Sequence, residues 1–278
     1  MDVTLWGTRG SLATPGPETI RYGGNTSCVE VRTGPRNMVV LDAGTGVRRL
    51  GRTMGDEVER VDILLTHFHL DHVQGGGFFD PLFRPGFDVH LWGPASTTHD
   101  LEARLACYLS PPLFPVRLRD LSCRLTLHNV VPDSFVLPGL DVAADLVCHP
   151  GRTVGYRLSD AGGALAYLPD HELAARPRSG LDLVDGADVL IHDAQYTSAE
   201  RGSHAGWGHS SIDQAVAFAG EASVGTLIAF HHDPAHDDDA VDRLLAEGRT
   251  GCDGALQVVG GAEGASLSIR REDAFVAA

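Results

Sequence analysis

Three imidazoles and a carboxylate fall within six residues at His67, His69, Asp71 and His72, in the string Thr66-His67-Phe68-His69-Leu70-Asp71-His72. The string follows the apolar run at 61–65, so the donors gather where a strand gives way to a loop. Imidazole nitrogen and carboxylate oxygen are donors that bind divalent cations, and this density is that of a metal site. Residues two apart leave an extended backbone on the same face, so His67 and His69 can reach one ion. Asp71 and His72 come after the chain turns, and a second ion or a reacting atom can sit between the two sets.

Further donors end strands in the second half of the chain. His149 closes the run Val147-Cys148-His149, Asp170 closes Tyr167-Leu168-Pro169-Asp170, and His231 closes Ile228-Ala229-Phe230-His231. Each lies past an apolar run, so all can gather on one edge of a fold. The string H-x-H-x-D-H resembles the signature of the metallo-β-lactamase superfamily of binuclear metal hydrolases. That resemblance implies that His67, His69 and His149 bind a first metal and that Asp71, His72 and His231 bind a second. Asp170 would bridge the two. The ligand set suits two Zn²⁺, and Mn²⁺ or Fe fits the same ligand types. His231 is preferred over its neighbour His232, because adjacent residues of an extended chain face opposite ways and His231 follows the strand directly. His171 and Glu172, beside Asp170, are expected to stand behind the ligands.

A second group narrows the resemblance. His192-Asp193-Ala194-Gln195-Tyr196, followed by Gly206-Trp207-Gly208-His209-Ser210-Ser211 at the start of a helix, is similar to the ribonuclease Z and phosphodiesterase branch. There the resemblance implies a histidine near the metals, here His209, oriented by a carboxylate, here Asp193. Expelling an alkoxide needs such a pair, since an imidazolium held by a carboxylate can protonate the departing oxygen. Locally, Ser210 reads as the helix N-cap. The stretches at 5–11, 21–28 and 41–46 resemble bacterial metal-dependent or cyclic-nucleotide phosphodiesterases, over about residues 3–240. In the last, Asp42 is expected to buttress the ligand loop. Arg9 and Arg21 read as surface salt-bridge residues ahead of phosphate contacts.

These residues need elements to position them. Strands are expected at 3–6, 28–32, 38–42, 61–66 and 89–92, and helices at 70–79 and 97–109. After the prolines at 111, 112 and 115, strands are expected at 125–130, 140–148, 153–158, 165–168, 189–192 and 227–231. Helices follow at 211–221 and 237–247, and closing strands at 256–259 and 266–269. Two β-rich halves, each with helices, give an α/β four-layer αββα sandwich, as the resemblance also implies.

The 278 residues, 43% hydrophobic, are enough for a sizeable core. With no linker to divide it, the chain reads as one domain over 1–271 with a loose tail at 272–278. The 22 basic and 37 acidic residues give a net charge of −15, which repels polyanions. Bound metal ions would invert that field locally, so a small anionic substrate remains compatible. No apolar stretch approaches the ~18 residues of a membrane span, and no secretory segment is visible. Five cysteines without a C-x-x-C pair fit a reducing compartment and buried thiols, and Cys148 stands beside His149. The expected location is cytoplasmic.

The expected function is therefore a binuclear zinc phosphodiesterase for a small phosphodiester, a cyclic nucleotide first. Asp71 would position the attacking water, and His209, with Asp193, would act as general acid. The expected partners are this substrate and, among compatible assemblies, a second copy in a homodimer, with neither bulk nucleic acid nor membrane. A carbonyl hydrolase acting on a lactone, thioester or β-lactam is the alternative. A non-catalytic binding protein is disfavoured by the intact ligand set, and a di-iron redox protein by His69, where that branch has Glu. The chain has no long basic insertion of the kind that grips tRNA.

Overall fold

Alternation within single strands decides the layers. In β3 (Asn37–Leu41), Val39 and Leu41 enter one apolar cluster while Met38 and Val40 enter another, and all four are buried. A strand buried on both faces must be covered on both, as in α/β sheets. The computed structural model describes residues 1–252 and 254–270, so the expected tail at 272–278 and the last residue of the expected 1–271 domain lie outside the described residues.

The first sheet contains β1 (Asp2–Gly7), β2 (Cys28–Arg32), β3, β4 (Arg60–Leu64), β5 (Asp88–Pro94) and β6 (Arg124–Val130). The second contains β7 (Asp133–Leu137), β8 (Leu140–Leu146), β9 (Val154–Asp160), β10 (Gly163–Leu168), β11 (Val189–Asp193), β12 (Thr226–Phe230) and β13 (Gln257–Gly260). The last strand, β14 (Ser266–Ser268), returns to the first sheet, giving the orders β14-β1-β2-β3-β4-β5-β6 and β13-β12-β11-β10-β9-β8-β7. Strands β3 to β6 run parallel, as do β10 to β13. The remaining pairs are antiparallel.

The sheets face each other across one cluster, in which Leu41 and Leu64 meet Tyr156, Tyr167 and Phe230. Outside the first sheet lie α1 (Val47–Thr53), α2 (Leu70–Val73) and α3 (Leu101–Ala106). Outside the second lie α4 (Leu181–Val184), α5 (Ile212–Glu221) and α6 (Asp238–Thr250). The four layers are the αββα sandwich expected from the sequence. At roughly 1.5–3 kcal/mol for each large side chain fully buried, these clusters are the main favourable term. Among the described residues no helix is long and apolar enough to cross a membrane.

Several elements differ from expectation. The helix expected at 70–79 is one turn, α2, followed by 3-10 turns at Gly76–Phe78 and Asp80–Phe83. Gly75, Gly76 and Gly77 weaken a continuing helix, and Pro81 cannot donate within one. The helix expected at 97–109 begins later, where Asp100 accepts a hydrogen bond from the Ala103 N–H at 2.7 Å, and ends at Ala106. Helices α1 and α4 and strand β7 were not expected; α1 spaces only Val47 and Leu50 as apolar signals among arginines and Gly51.

Two glycines fix how the ligand loop meets the turn after β3. The Ala43 N–H donates to the His72 carbonyl at 2.8 Å, and the Gly75 N–H donates to the Ala43 carbonyl at 2.9 Å. A Cβ on Gly75 would stand 1.9 Å from the Gly44 carbonyl oxygen, and one on Gly44 would stand 2.3 Å from the Asp71 carbonyl oxygen. Both obstacles are backbone, so neither can swing aside. Gly75→Ala is expected to destabilise the protein by about 1–3 kcal/mol, as overpacking does, measured by urea unfolding. A midpoint equal to that of the parent protein would contradict this account of the interlock.

Candidate metal centre

Every donor singled out in the sequence stands at or just past a strand end on one edge of the sandwich. His67, His69, Asp71 and His72 follow β4, His149 follows β8, Asp170 follows β10 and His231 follows β12, while Asp193 is the last residue of β11. Carboxyl ends of parallel strands are where open α/β sheets bind ligands.

The donors fall into overlapping groups. Ligand atoms of His67, His69, His149 and Asp170 lie within 4.8 Å of one another, and so do those of Asp71, His72, Asp170 and His231. Asp170 belongs to both. A third group under the same limit joins Asp193, His209 and His231.

In four of the five imidazoles, those of His67, His72, His149 and His231, the outward-facing nitrogen is already engaged. The Nδ1–H of His72 donates to Asp42 Oδ2 at 2.8 Å, that of His149 to the Gly208 carbonyl at 2.8 Å, and that of His231 to Gln195 Oε1 at 2.9 Å. His67 Nδ1 lies 3.0 Å from Thr66 Oγ1, whose hydroxyl donates in turn to Asp42. Fixing the outer nitrogen fixes the ring's orientation and turns Nε2 inward, where it can bind a cation in place of a proton.

Three of the inner atoms lack partners, although they are buried. His67 Nε2, His72 Nε2 and Asp170 Oδ1 make no hydrogen bond. His72 Nε2 nevertheless stands 3.1 Å from both Asp71 Oδ2 and Asp170 Oδ1. His149 Nε2 faces His69 Nδ1 at 3.1 Å. Buried polar atoms converging without partners are costly unless a cation completes them.

Electrostatics point the same way. Burial pushes the imidazoles of His67, His69 and His149 below their ordinary value, which keeps them in the neutral, ligating form. At His72 burial works against the proton, but Asp170, Asp71 and Asp42 outweigh it and raise the ring. Burial would also raise Asp170, yet His231, His72 and His67 hold its carboxyl well below the carboxylate range. The residues thus fit divalent metal ions.

Beside the second set, the His209 Nδ1–H donates to Asp193 Oδ2 at 2.7 Å, and the His209 ring stacks on His231 with centroids 4.8 Å apart. Burial disfavours charge on His209, but Asp193, Asp170 and Asp71 overcome it and raise the imidazole to about 9. The fully buried Asp193 also accepts from the N–H groups of His171 and Gln195, each at 3.1 Å.

Of the pair His231-His232, His231 alone belongs to a donor group. His231 turns inward with a positive φ of 60°, whereas His232 Nε2 donates to the Gly261 carbonyl at 2.8 Å and burial pushes its ring down to about 3. His171 does not face the donors: its Nδ1 lies 3.1 Å from His192 Nε2. Glu172 accepts from the N–H groups of Gly206 at 2.7 Å and Gly208 at 3.1 Å, and so holds the loop that carries His209.

Three expectations need correction. Arg9 is not a surface salt-bridge residue: it is fully buried and donates to the carbonyls of Gly23, Asp233 and His236. Loop carbonyls have no ladder partner, and a guanidinium with five N–H groups can satisfy several at once. Arg21 is exposed and pairs with Asp239 and Asp242, as expected. Ser210 is not the N-cap of α5; its hydroxyl donates to the His171 carbonyl and accepts from the Leu173 N–H, and Ser211 caps the helix with Gln214 reaching back to its N–H. Of the cysteines, only Cys28 is buried; Cys107 is exposed and the others are intermediate, because they lie on peripheral turns and helix ends.

Sequence reading also missed partners. Gln195 holds His231, the Ser11 N–H donates to Asp71 Oδ2 at 2.8 Å, and the Tyr167 hydroxyl donates to Asp42 at 2.9 Å. Gln195 stands two residues from Asp193, which was a usable spacing signal. Ser11 contributes only backbone, and no side-chain pattern could reveal it.

Comparison with known proteins agrees with this geometry. The beta-lactamase superfamily domain matches residues 37–232. An uncharacterised protein of Mycobacterium tuberculosis is 28% identical over 254 residues, covering 88% of this chain and 86% of its own. Ribonuclease Z of Mycobacterium avium is 30% identical over 267 residues, covering 84% and 87%. Among solved structures, a diphosphatase from the PhnP family superposes with a TM-score of 0.69 at 19% identity, covering 98% and 99%. The chain belongs to the beta-lactamase superfamily, on its ribonuclease Z-like side, and is a metal-dependent hydrolase.

Proposed function

We propose that the protein is a binuclear zinc phosphodiesterase that hydrolyses a small phosphodiester, with a cyclic nucleotide as the leading substrate. The observation that carries this reading is the sharing of Asp170 between two donor sets, with His209 and Asp193 beside the second. His67, His69 and His149 would hold one ion and Asp71, His72 and His231 the other, with Asp170 between. Metal ions so held would lower the pKa of a shared water toward ~7 and draw charge from the phosphoryl oxygens.

The chain's own groups supply the rest. Asp71, fixed by the Ser11 N–H, orients the attacking water. His209 keeps one proton on Nδ1 against Asp193 and carries the second on Nε2, from which it passes to the departing oxygen. A raised imidazole pKa keeps that second proton in place at neutral pH, and Asp193 stabilises the charge before transfer. Such an acid is expected to contribute ~10²- to 10⁴-fold. The net charge of −15 favours a small substrate over extended nucleic acid, and cysteines without a C-x-x-C pair favour a cytoplasmic enzyme.

Protein purified without chelator is expected to carry close to two divalent ions per chain by elemental analysis, and Asp170→Ala to lose most of the second ion together with activity. Active protein with almost no metal would sink the binuclear reading. Bis-p-nitrophenyl phosphate should be cleaved faster than the matched monoester; turnover of a lactone or β-lactam far above any diester would favour carbonyl chemistry.

His209→Ala is expected to keep its metal but to slow diesters with alkoxide leaving groups by ~10²-fold or more. Diesters that release p-nitrophenolate should suffer much less, since that anion needs little protonation. Asp193→Asn should give a weaker form of the same pattern. Equal losses for both leaving groups, with metal retained, would reassign His209 to phosphate binding.

A further inference from the structure

The loop that holds His149 and leads into His209 also carries an unexplained aromatic. Gly206 and Gly208 adopt positive φ values of 84° and 95°, and both N–H groups are bound by the Glu172 carboxylate. The Gly208 carbonyl accepts from His149. This backbone is therefore fixed on both sides of Trp207, whereas the Trp207 side chain itself is 62% exposed. Single exposed apolar side chains are common, and what distinguishes this one is its place, two residues from His209 on the loop that holds His149.

The ring is not isolated from the centre. Trp207 meets the His204 ring edge-on at 4.9 Å, and His204 stacks on Tyr196 at 4.3 Å. Tyr196 in turn meets His209 edge-on at 6.2 Å. These ring contacts run from the exposed Trp207 through the buried Tyr196 to the residue assigned as general acid. Flat π-faces bind planar bases by stacking and tolerate any base identity.

We propose that Trp207, backed by His204, is a subsite for the planar aromatic part of the diester, a nucleobase attached to the phosphate held at the metal centre. The inference rests on the phosphodiesterase reading and deepens it, by giving the substrate's second recognition element. The loop's position argues for substrate over a protein partner: its backbone supports His149, and Trp207 lies two residues from His209.

The test compares thymidine 5′-(p-nitrophenyl phosphate) with methyl p-nitrophenyl phosphate, which share a leaving group and differ in the nucleoside. Trp207→Ala is expected to lower the kcat/KM preference for the thymidine ester on the order of 10-fold, through KM, and Trp207→Phe to restore most of it. A second measurement is independent of turnover: calorimetric binding of adenosine 5′-monophosphate against ribose 5-phosphate. The parent protein should bind the nucleotide more tightly, and Trp207→Ala should erase the difference. An unchanged ester preference with an unchanged binding difference overturns the proposal. So does a shift of mass in light scattering with nucleotide binding intact, which would make Trp207 a self-association surface. If neither ester is turned over while nucleotide binding still depends on Trp207, the subsite stands and the phosphodiesterase reading fails.

Discussion

The carboxylate of Asp42 is the constraint on which the centre depends. It is fully buried just past β3, with a positive φ of 58°, and it accepts from the Thr66 N–H at 2.8 Å, the Thr66 hydroxyl, His72 Nδ1 and the Tyr167 hydroxyl. One side chain thus ties the end of β4, the ligand helix α2 and the facing sheet to a single point. A buried carboxylate costs several kcal/mol unless its lone pairs are filled, and here all its partners come from elements that must carry ligands. Satisfying Asp42 and orienting His67 and His72 are the same physical event.

The charge balance follows from that arrangement. Asp42, Asp71 and Asp170 are buried among imidazoles, and His67 Nε2 and His72 Nε2 have no hydrogen-bond partner. The surroundings demand positive charge between these groups, and neutral side chains alone cannot supply it. Asp193 and His209 answer a similar demand differently, with a direct hydrogen bond at 2.7 Å. Where a carboxylate meets one histidine, a proton suffices; where several converge, the donor set of a cation results.

Much of this was legible in the sequence. The layer order and the strand-end placement of the candidate donors followed from apolar runs and from which residues close them. What failed had identifiable causes. The helix expected at 70–79 ran across three glycines whose value lies in close backbone approach, which periodicity does not encode. Arg9 looked like a surface residue because charge usually is, but the carbonyls that bury it come from residues 23, 233 and 236, distant in sequence. The Ser11 N–H and the Gly208 carbonyl were invisible because any residue type offers the same backbone groups.

Gly10 lies directly against the His231 ring, so closely that a Cβ there would fall 2.2 Å from Nδ1, and its N–H donates to the His232 carbonyl. His231 Nε2 and Asp71 Oδ2, 3.1 Å apart, are separated by 160 residues. The second donor set, Asp71, His72, Asp170 and His231, is accordingly assembled from the first third of the chain, its middle and its last quarter, with Gly10 packed against it. Closing such long loops is entropically expensive and slow, so this set is completed only when both sheets have docked. The chemistry is thereby coupled to completion of the fold: a partly folded chain can present the compact 67–72 string, but not the pocket that string belongs to.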